Sequence, residues 1–201
     1  MKKIIAGFCL SFFASFSSAT VINFDDLSGD PYESLSDGYQ GFNWLTLASI
    51  NKNDYPDTGY AAGTVSGNNA AFNQYAADVS ISLSSAGTFD FIGAFFTAAW
   101  IGDYFHEISF EGFLDGVSIY SLDSAIALAN DSPLWIQLDW TGIDQLNIYS
   151  NLAGWDQWVM DDFTVAINST SVPEPSALVL VLMGVLGIGV LRYHRATKKQ
   201  H

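Results

Sequence analysis

Two pairs of adjacent aspartates stand near the ends of the body of this 201-residue chain: Asp25-Asp26 in "INFDDL" and Asp161-Asp162 in "WVMDDF". Both lie in apolar runs that alternate. Read as strands, the first run puts Ile22, Phe24 and Asp26 on one face, and the second puts Val159, Asp161, Phe163 and Val165 together. One aspartate of each pair then points with core residues. A buried carboxylate is costly unless it is paired, hydrogen-bonded or protonated. A basic partner is nearly excluded, because the body holds only Lys52 and His106. A hard cation such as calcium, which takes carboxylate and carbonyl oxygens, would suit Asp25, Asp26, Asp161 and Asp162. The alternative is that these aspartates cap strand ends and bond to loop amides. The spacing is not that of an EF-hand.

Aromatic residues offer a second chemistry. The six tryptophans are Trp44, Trp100, Trp135, Trp140, Trp155 and Trp158. Exposed indoles stack on the C–H faces of sugars, while neighbouring Asp, Asn and Gln take the hydroxyls. "AAWIGDYFHE" supplies Trp100 and Tyr104, and "NLAGWDQW" supplies Trp155 and Asp156, at expected loop edges. About four of the six tryptophans are expected in the core.

Catalytic constellations are scarce. The histidines are His106, His194 and His201, and no nucleophile elbow or HExxH occurs. Glu107 and Glu111 on one strand would stand about 13 Å apart, beyond the roughly 5–9.5 Å of a glycosidase pair. They read as a solvated strand face, and the body as a non-enzyme. A secreted glycan-active enzyme remains the alternative, since carboxylates from separate strands could converge.

The elements that must position these groups are strands. "VSISLS", "HEISFEGF", "PLWIQLDW" and "VMDDFTVAI" alternate with period two. Asp115-Gly116 has the sequence of a tight hairpin turn. "SLDSAIALAND" is the one modest helical candidate. About nine or ten short strands predict an all-β fold over residues 20–168, an antiparallel two-sheet sandwich of jelly-roll type. The interval from Ser49 to Asp78 lacks alternation and reads as a long loop. Its Tyr55, Tyr60, Phe72 and Tyr75 favour partial order. By fold-level analogy, the terminal strands are similar to those that share a structural calcium in many jelly-roll carbohydrate-binding modules.

Charge narrows the partners. The formal net charge is −14. Between Thr20 and Val172, Lys52 is the only lysine or arginine against twenty acidic residues, which leaves the body near −19. Such a body repels phosphate backbones, so nucleic acid is excluded, and divalent cations and neutral hydroxyl-rich ligands are compatible.

The ends differ. Residues 1–19 have two lysines, an apolar stretch and small residues up to Ala19, the layout of a signal peptide. Cys9, the only cysteine, would leave with it, so the mature protein has no disulfide. Residues 169–176 form a polar linker. Ala177–Leu191 is apolar or glycine throughout and spans roughly 22 Å as a helix, against the ~30 Å of a bilayer core. The basic end at 192–201 carries Arg192, Arg195, Lys198 and Lys199, which the positive-inside rule places in the cytoplasm.

The order Val172-Pro173-Glu174-Pro175, apolar span and basic end resembles the PEP-CTERM sorting signal. The match covers about thirty residues and all three parts of that pattern. Tyr193 and His194 interrupt a basic cluster that in the family often begins with adjacent arginines. The resemblance implies export, transient anchoring in a Gram-negative inner membrane, and cleavage by an exosortase that recognises Pro173, Glu174 and Pro175. The product would pass to the cell surface or matrix, where polysaccharide and calcium are the expected partners of the body.

Overall fold

Each of the four alternating runs is a strand in the computed structural model, which describes residues 18–28, 32–100, 106–150 and 157–168. All of these fall within the first of two compact units, Met1–Ser169. Thirteen strands lie among the described residues: β1 Thr20–Ile22, β2 Tyr32–Ser34, β3 Phe42–Leu45, β4 Leu47–Asn51, β5 Asn69–Asn73, β6 Val79–Leu83 and β7 Thr88–Ala98, then β8 His106–Leu114, β9 Val117–Ser121, β10 Ile126–Leu128, β11 Leu134–Ile143, β12 Gln145–Ser150 and β13 Trp158–Asn168. One short helix, α1, covers Gly59–Gly63. Among the described residues no helix is long and apolar enough to cross a membrane.

The strands pair antiparallel into two sheets. One runs β11-β7-β13-β5-β4-β2, with β1 also on β13; the other runs β10-β8-β12-β6-β3, with β9 on β8. This is an all-β two-sheet sandwich, as the alternation predicts. The hairpin at Asp115-Gly116 joins β8 to β9, and both residues have positive φ (52° and 75°), as a primed turn requires. "SLDSAIALAND" contains strand β10 instead of a helix.

Two of the chain's changes of sheet are neighbours in space and use left-handed residues. β3 belongs to one sheet and β4 to the other, with only Thr46 between them, at φ 65°. Its hydroxyl donates to the Asp78 carbonyl at 2.5 Å, and its carbonyl accepts the Gln74 N–H at 2.9 Å. The return from β5 to β6 passes through Tyr75 and Ala76, at φ 60° and 51°. A left-handed residue turns a strand sharply without a long loop.

Between the sheets the core is aromatic. Phe42 meets Phe89 at 5.1 Å and Phe163 at 6.0 Å; Phe91 stacks on Phe163 at 5.1 Å; Phe96 meets Phe110 at 5.4 Å and Trp158 at 5.5 Å. Each such pair adds about 0.5–1.5 kcal/mol beyond its buried area. Trp44, Trp140 and Trp158 are buried, Trp135 is half-buried and Trp100 is 42% exposed, so three tryptophans fill the core among the described residues.

A second apolar layer covers the outer face of the seven-stranded sheet. Ala48, Ile50, Ala70, Phe72 and Val159 pack there against Tyr60 and Ala99, with Tyr55 at the edge. β5, "NAAFN", is therefore buried on both faces. The interval from Ser49 to Asp78 is ordered, and its 3-10 turns, α1 and β5 form the wall of a cavity.

Candidate functional site

Tyr60, the first residue after Gly59 in α1, stands at the centre of the cavity. Its ring meets Phe72 edge-on at 5.6 Å, Trp100 edge-on at 5.2 Å, and Tyr55 at 5.2 Å. Tyr32 from the edge strand β2 packs edge-on against Phe72 at 6.2 Å. Tyr75, on the turn between sheets, is 82% exposed and completes the lining with Ile50, Gln74 and Gln157. The space is about 250 Å³ and opens to solvent, and among the described residues no charged side chain lines it.

Two glutamines give the cavity its polarity. Gln74 exchanges hydrogen bonds with Ser34 Oγ, donating at 3.0 Å and accepting at 3.4 Å. The side-chain oxygen of Gln157 accepts from the Tyr60 hydroxyl and from the Trp100 indole N–H, each at 2.8 Å. Burial, with Tyr55 beside it, pushes the Tyr60 phenol well above the ordinary tyrosine range, so it stays neutral. An aromatic cage with a few placed polar groups is the usual make-up of a small-molecule site.

Of the sugar-stacking candidates, Trp100 lies in this lining. Tyr104, Trp155 and Asp156 lie outside the described residues, as do Pro173, Glu174, Pro175, Arg192, Arg195, Lys198 and Lys199. The spacing of Tyr32, Gln74 and Gln157 gave no signal of their role. Tyr55, Tyr60, Phe72 and Tyr75 stood out in the sequence as evidence of order, and they surround the cavity.

One aspartate of the first pair and both of the second meet one loop. Asp161 is fully buried; its carboxylate accepts the Ser66 N–H at 2.9 Å and the Asp162 N–H at 2.7 Å. Asp162 accepts the Ser66 hydroxyl at 2.8 Å. Asp25 accepts the N–H groups of Asn68 and Asn69, at 2.7 and 3.1 Å. Lys52 Nζ donates to the Gly67 carbonyl. Only glycine fits at 67, where φ is +48° and a Cβ would fall within 2.0 Å of all three carboxyl atoms of Asp25.

The predicted faces need two corrections. The register of β13 against β7 shifts between Asp161 and Thr164, and Asp162 takes φ 51°, so a bulge interrupts the alternation. Met160, Phe163 and Val165 face the core between the sheets, while Val159 and Asp161 face the outer layer. At the other end, Phe24 at φ 62° turns the chain, so Asp26 is exposed and the half-buried Asp25 grips the loop. Asp26 instead accepts from the Tyr39 hydroxyl at 2.5 Å and from Gln40 at 3.0 Å. Among the described residues no three His, Cys, Asp or Glu side chains are grouped as metal ligands. Loop amides already occupy Asp25 and Asp161, so a calcium ion there would draw further oxygens from carbonyls.

Glu107 and Glu111 share the outer face of β8, where Glu111 accepts the Tyr149 hydroxyl at 2.8 Å. Neither lines the cavity.

No protein-family model matches the chain, and no curated protein does. Among solved structures, the chain is similar to the CBM22-1 xylan-binding domain of Paenibacillus barcinonensis Xyn10C, with 11% identity, a TM-score of 0.43, and coverage of 79% of this chain and 100% of that one. TmCBM61, solved with β-1,4-galactotriose, gives 11% identity, a TM-score of 0.39, and coverage of 73% and 94%. CBM51 of Clostridium perfringens GH95, solved with methyl-galactose, gives 14%, 0.36, and 73% and 100%. At these values the likeness carries nothing to the site, whose character rests on its own geometry.

Proposed function

We propose that this chain is an exported jelly-roll binding module that takes neutral glycan in the cavity around Tyr60. The observation that carries this reading is the lining itself: aromatic rings on several sides, two glutamine amides, and no charge among the described residues. Stacking rings with amide groups suit a hydroxylated apolar-faced ring. The acidic body disfavours anionic polymers. Among the described lining residues no carboxylate or histidine stands ready as general acid or base, which favours binding over a glycan-active enzyme. The xylan-binding and galactose-bound modules named above share the sandwich architecture only.

The test is retention on immobilised neutral polysaccharides. Wild-type protein is expected to be retarded without releasing sugar, and Trp100→Ala to elute unretarded while keeping its melting temperature within a few degrees. Release of reducing ends would establish the enzyme reading instead.

Around this module we place a signal peptide at 1–19, on the layout of those residues, and a membrane helix at 177–191 with exosortase recognition of Pro173-Glu174-Pro175, on the strength of the tail's resemblance. Mass spectrometry of the mature C-terminus is expected to show an end near Pro173 in a host with the protease, and the intact tail in a host without it. An intact tail in both would overturn the sorting reading. Calcium drawn to the Asp161-Asp162 pair, with carbonyl oxygens completing its shell, is the third element, and its test appears with that of Asp161 below.

A further inference from the structure

The glycan reading leaves open how much of a glycan the cavity admits. Resting on that reading, we infer that the cavity takes a single terminal ring of an uncharged glycan end-on, oriented by N–H donation from Gln157.

Size sets the first limit. Pockets for drug-sized ligands start at about 300 Å³, so 250 Å³ has room for about one ring, with any further ring left at the open side. Tyr60 and Phe72 are both buried and form the floor; the exposed Tyr75 stands at the rim.

Gln157 sets the polarity. An indole N–H is donor only. Its bond to Gln157 therefore fixes the side-chain oxygen on the side of Trp100 and Tyr60, and the amide NH₂ is turned away from both. Among the described residues that NH₂ has no hydrogen-bond partner, and it is not sealed from solvent. Because Gln157 lines the cavity, this NH₂ is the donor it can present to a ligand oxygen. This separates a sugar from the other guest of aromatic cages, a quaternary ammonium: an N–H donor repels a cation and attracts a hydroxyl or ring oxygen. A uronate would lose its water with no base among the described lining residues to replace it.

Calorimetric titration tests this with D-glucose, D-galactose, D-mannose and D-xylose, the β-1,4-linked dimers and trimers of each, and choline. Wild-type protein is expected to bind one monosaccharide with an affinity that stays within about threefold on going to its dimer and trimer. Gln157→Glu keeps an acceptor for Trp100 and Tyr60 but removes both N–H donors, and should weaken that sugar at least tenfold with little change in melting temperature. Affinity that climbs tenfold or more with each added ring would overturn the end-on inference while leaving the glycan reading intact. Equal binding by Gln157→Glu would overturn the role of Gln157. Binding of choline alone, or of nothing in the panel, would remove the glycan reading and this inference with it.

Discussion

Gly59→Ala is expected to lower the melting temperature by about 6 °C or more and to abolish glycan retention. Gly59 opens α1, and its N–H donates to the Ala99 carbonyl at 3.0 Å, pinning the helix to the end of β7. A methyl group there would sit 1.7 Å from the Ala98 carbonyl oxygen and 2.8 Å from its carbon. Both are backbone atoms, so no side-chain rotation relieves the overlap. Overpacking in a tight interior costs about 1–3 kcal/mol and sometimes more. A rigid backbone clash belongs at the upper end, and 1 kcal/mol corresponds to roughly 2–4 °C in a domain of this size. The helix must move, and Tyr60 moves with it. Gly116→Ala is the control. Nothing lies within 4 Å of its added Cβ, so only the strain of φ +75° remains, and retention should persist. Thermal melts of both variants, with glycan retention measured alongside, decide the matter; a Gly59→Ala protein with wild-type behaviour would contradict the packing described.

The second large effect is a pH dependence centred on Asp161. Burial, with help from the neighbouring Asp162 carboxylate, pushes its carboxyl up to about 7, against the opposing pull of the Ser66 and Asp162 amides. In the unfolded chain the same group ionises near 3.9. Between these values the folded chain retains a proton that the unfolded chain has released. Stability therefore falls as pH rises from about 4 to 7, and the contribution is constant outside that window. Three pKa units correspond to roughly 4 kcal/mol, an upper figure for a group that also accepts hydrogen bonds. Asp161→Asn should lose this slope, so the difference in unfolding free energy between wild type and variant should shift across pH 4–7 in favour of Asp161→Asn at the upper end.

Calcium enters through the same group. A bound cation favours the ionised carboxylate, so Ca²⁺ should raise the melting temperature of the wild-type protein at pH 7 and flatten its slope, and a chelator should restore both. Asp161→Asn should respond to neither. Identical melts of the wild type with Ca²⁺ and with chelator would leave the loop amides as the sole partners of these carboxylates.

The fold was readable where one face of a strand is wet. "VSISL" and "HEISFEGF" show their alternation because Ser80 and Glu107 meet solvent on the outer side of a sheet. "NAAFN" was not readable, since the second apolar layer buries both faces of β5 and removes the pattern. Asp161 was correctly singled out as buried, but its direction was misjudged because the bulge at Asp162 depends on a left-handed residue that no spacing announces. The changes of sheet at Thr46 and Tyr75 were hidden for the same reason. The cavity gathers residues from 32, 50, 55–60, 72–75, 100 and 157, brought together by strand order rather than by any motif. Aromatic content hinted at Tyr55, Tyr60 and Trp100. Only the geometry reveals Gln157.

The most direct measurement of the central claim is the affinity of wild-type and Trp100→Ala protein for the neutral glycan that retards the wild type best. The account predicts saturable binding by the wild type, at least a tenfold loss in Trp100→Ala, and matching melting curves. Equal affinity in both proteins would place any glycan elsewhere on the sandwich and contradict the assignment of the Tyr60 cavity.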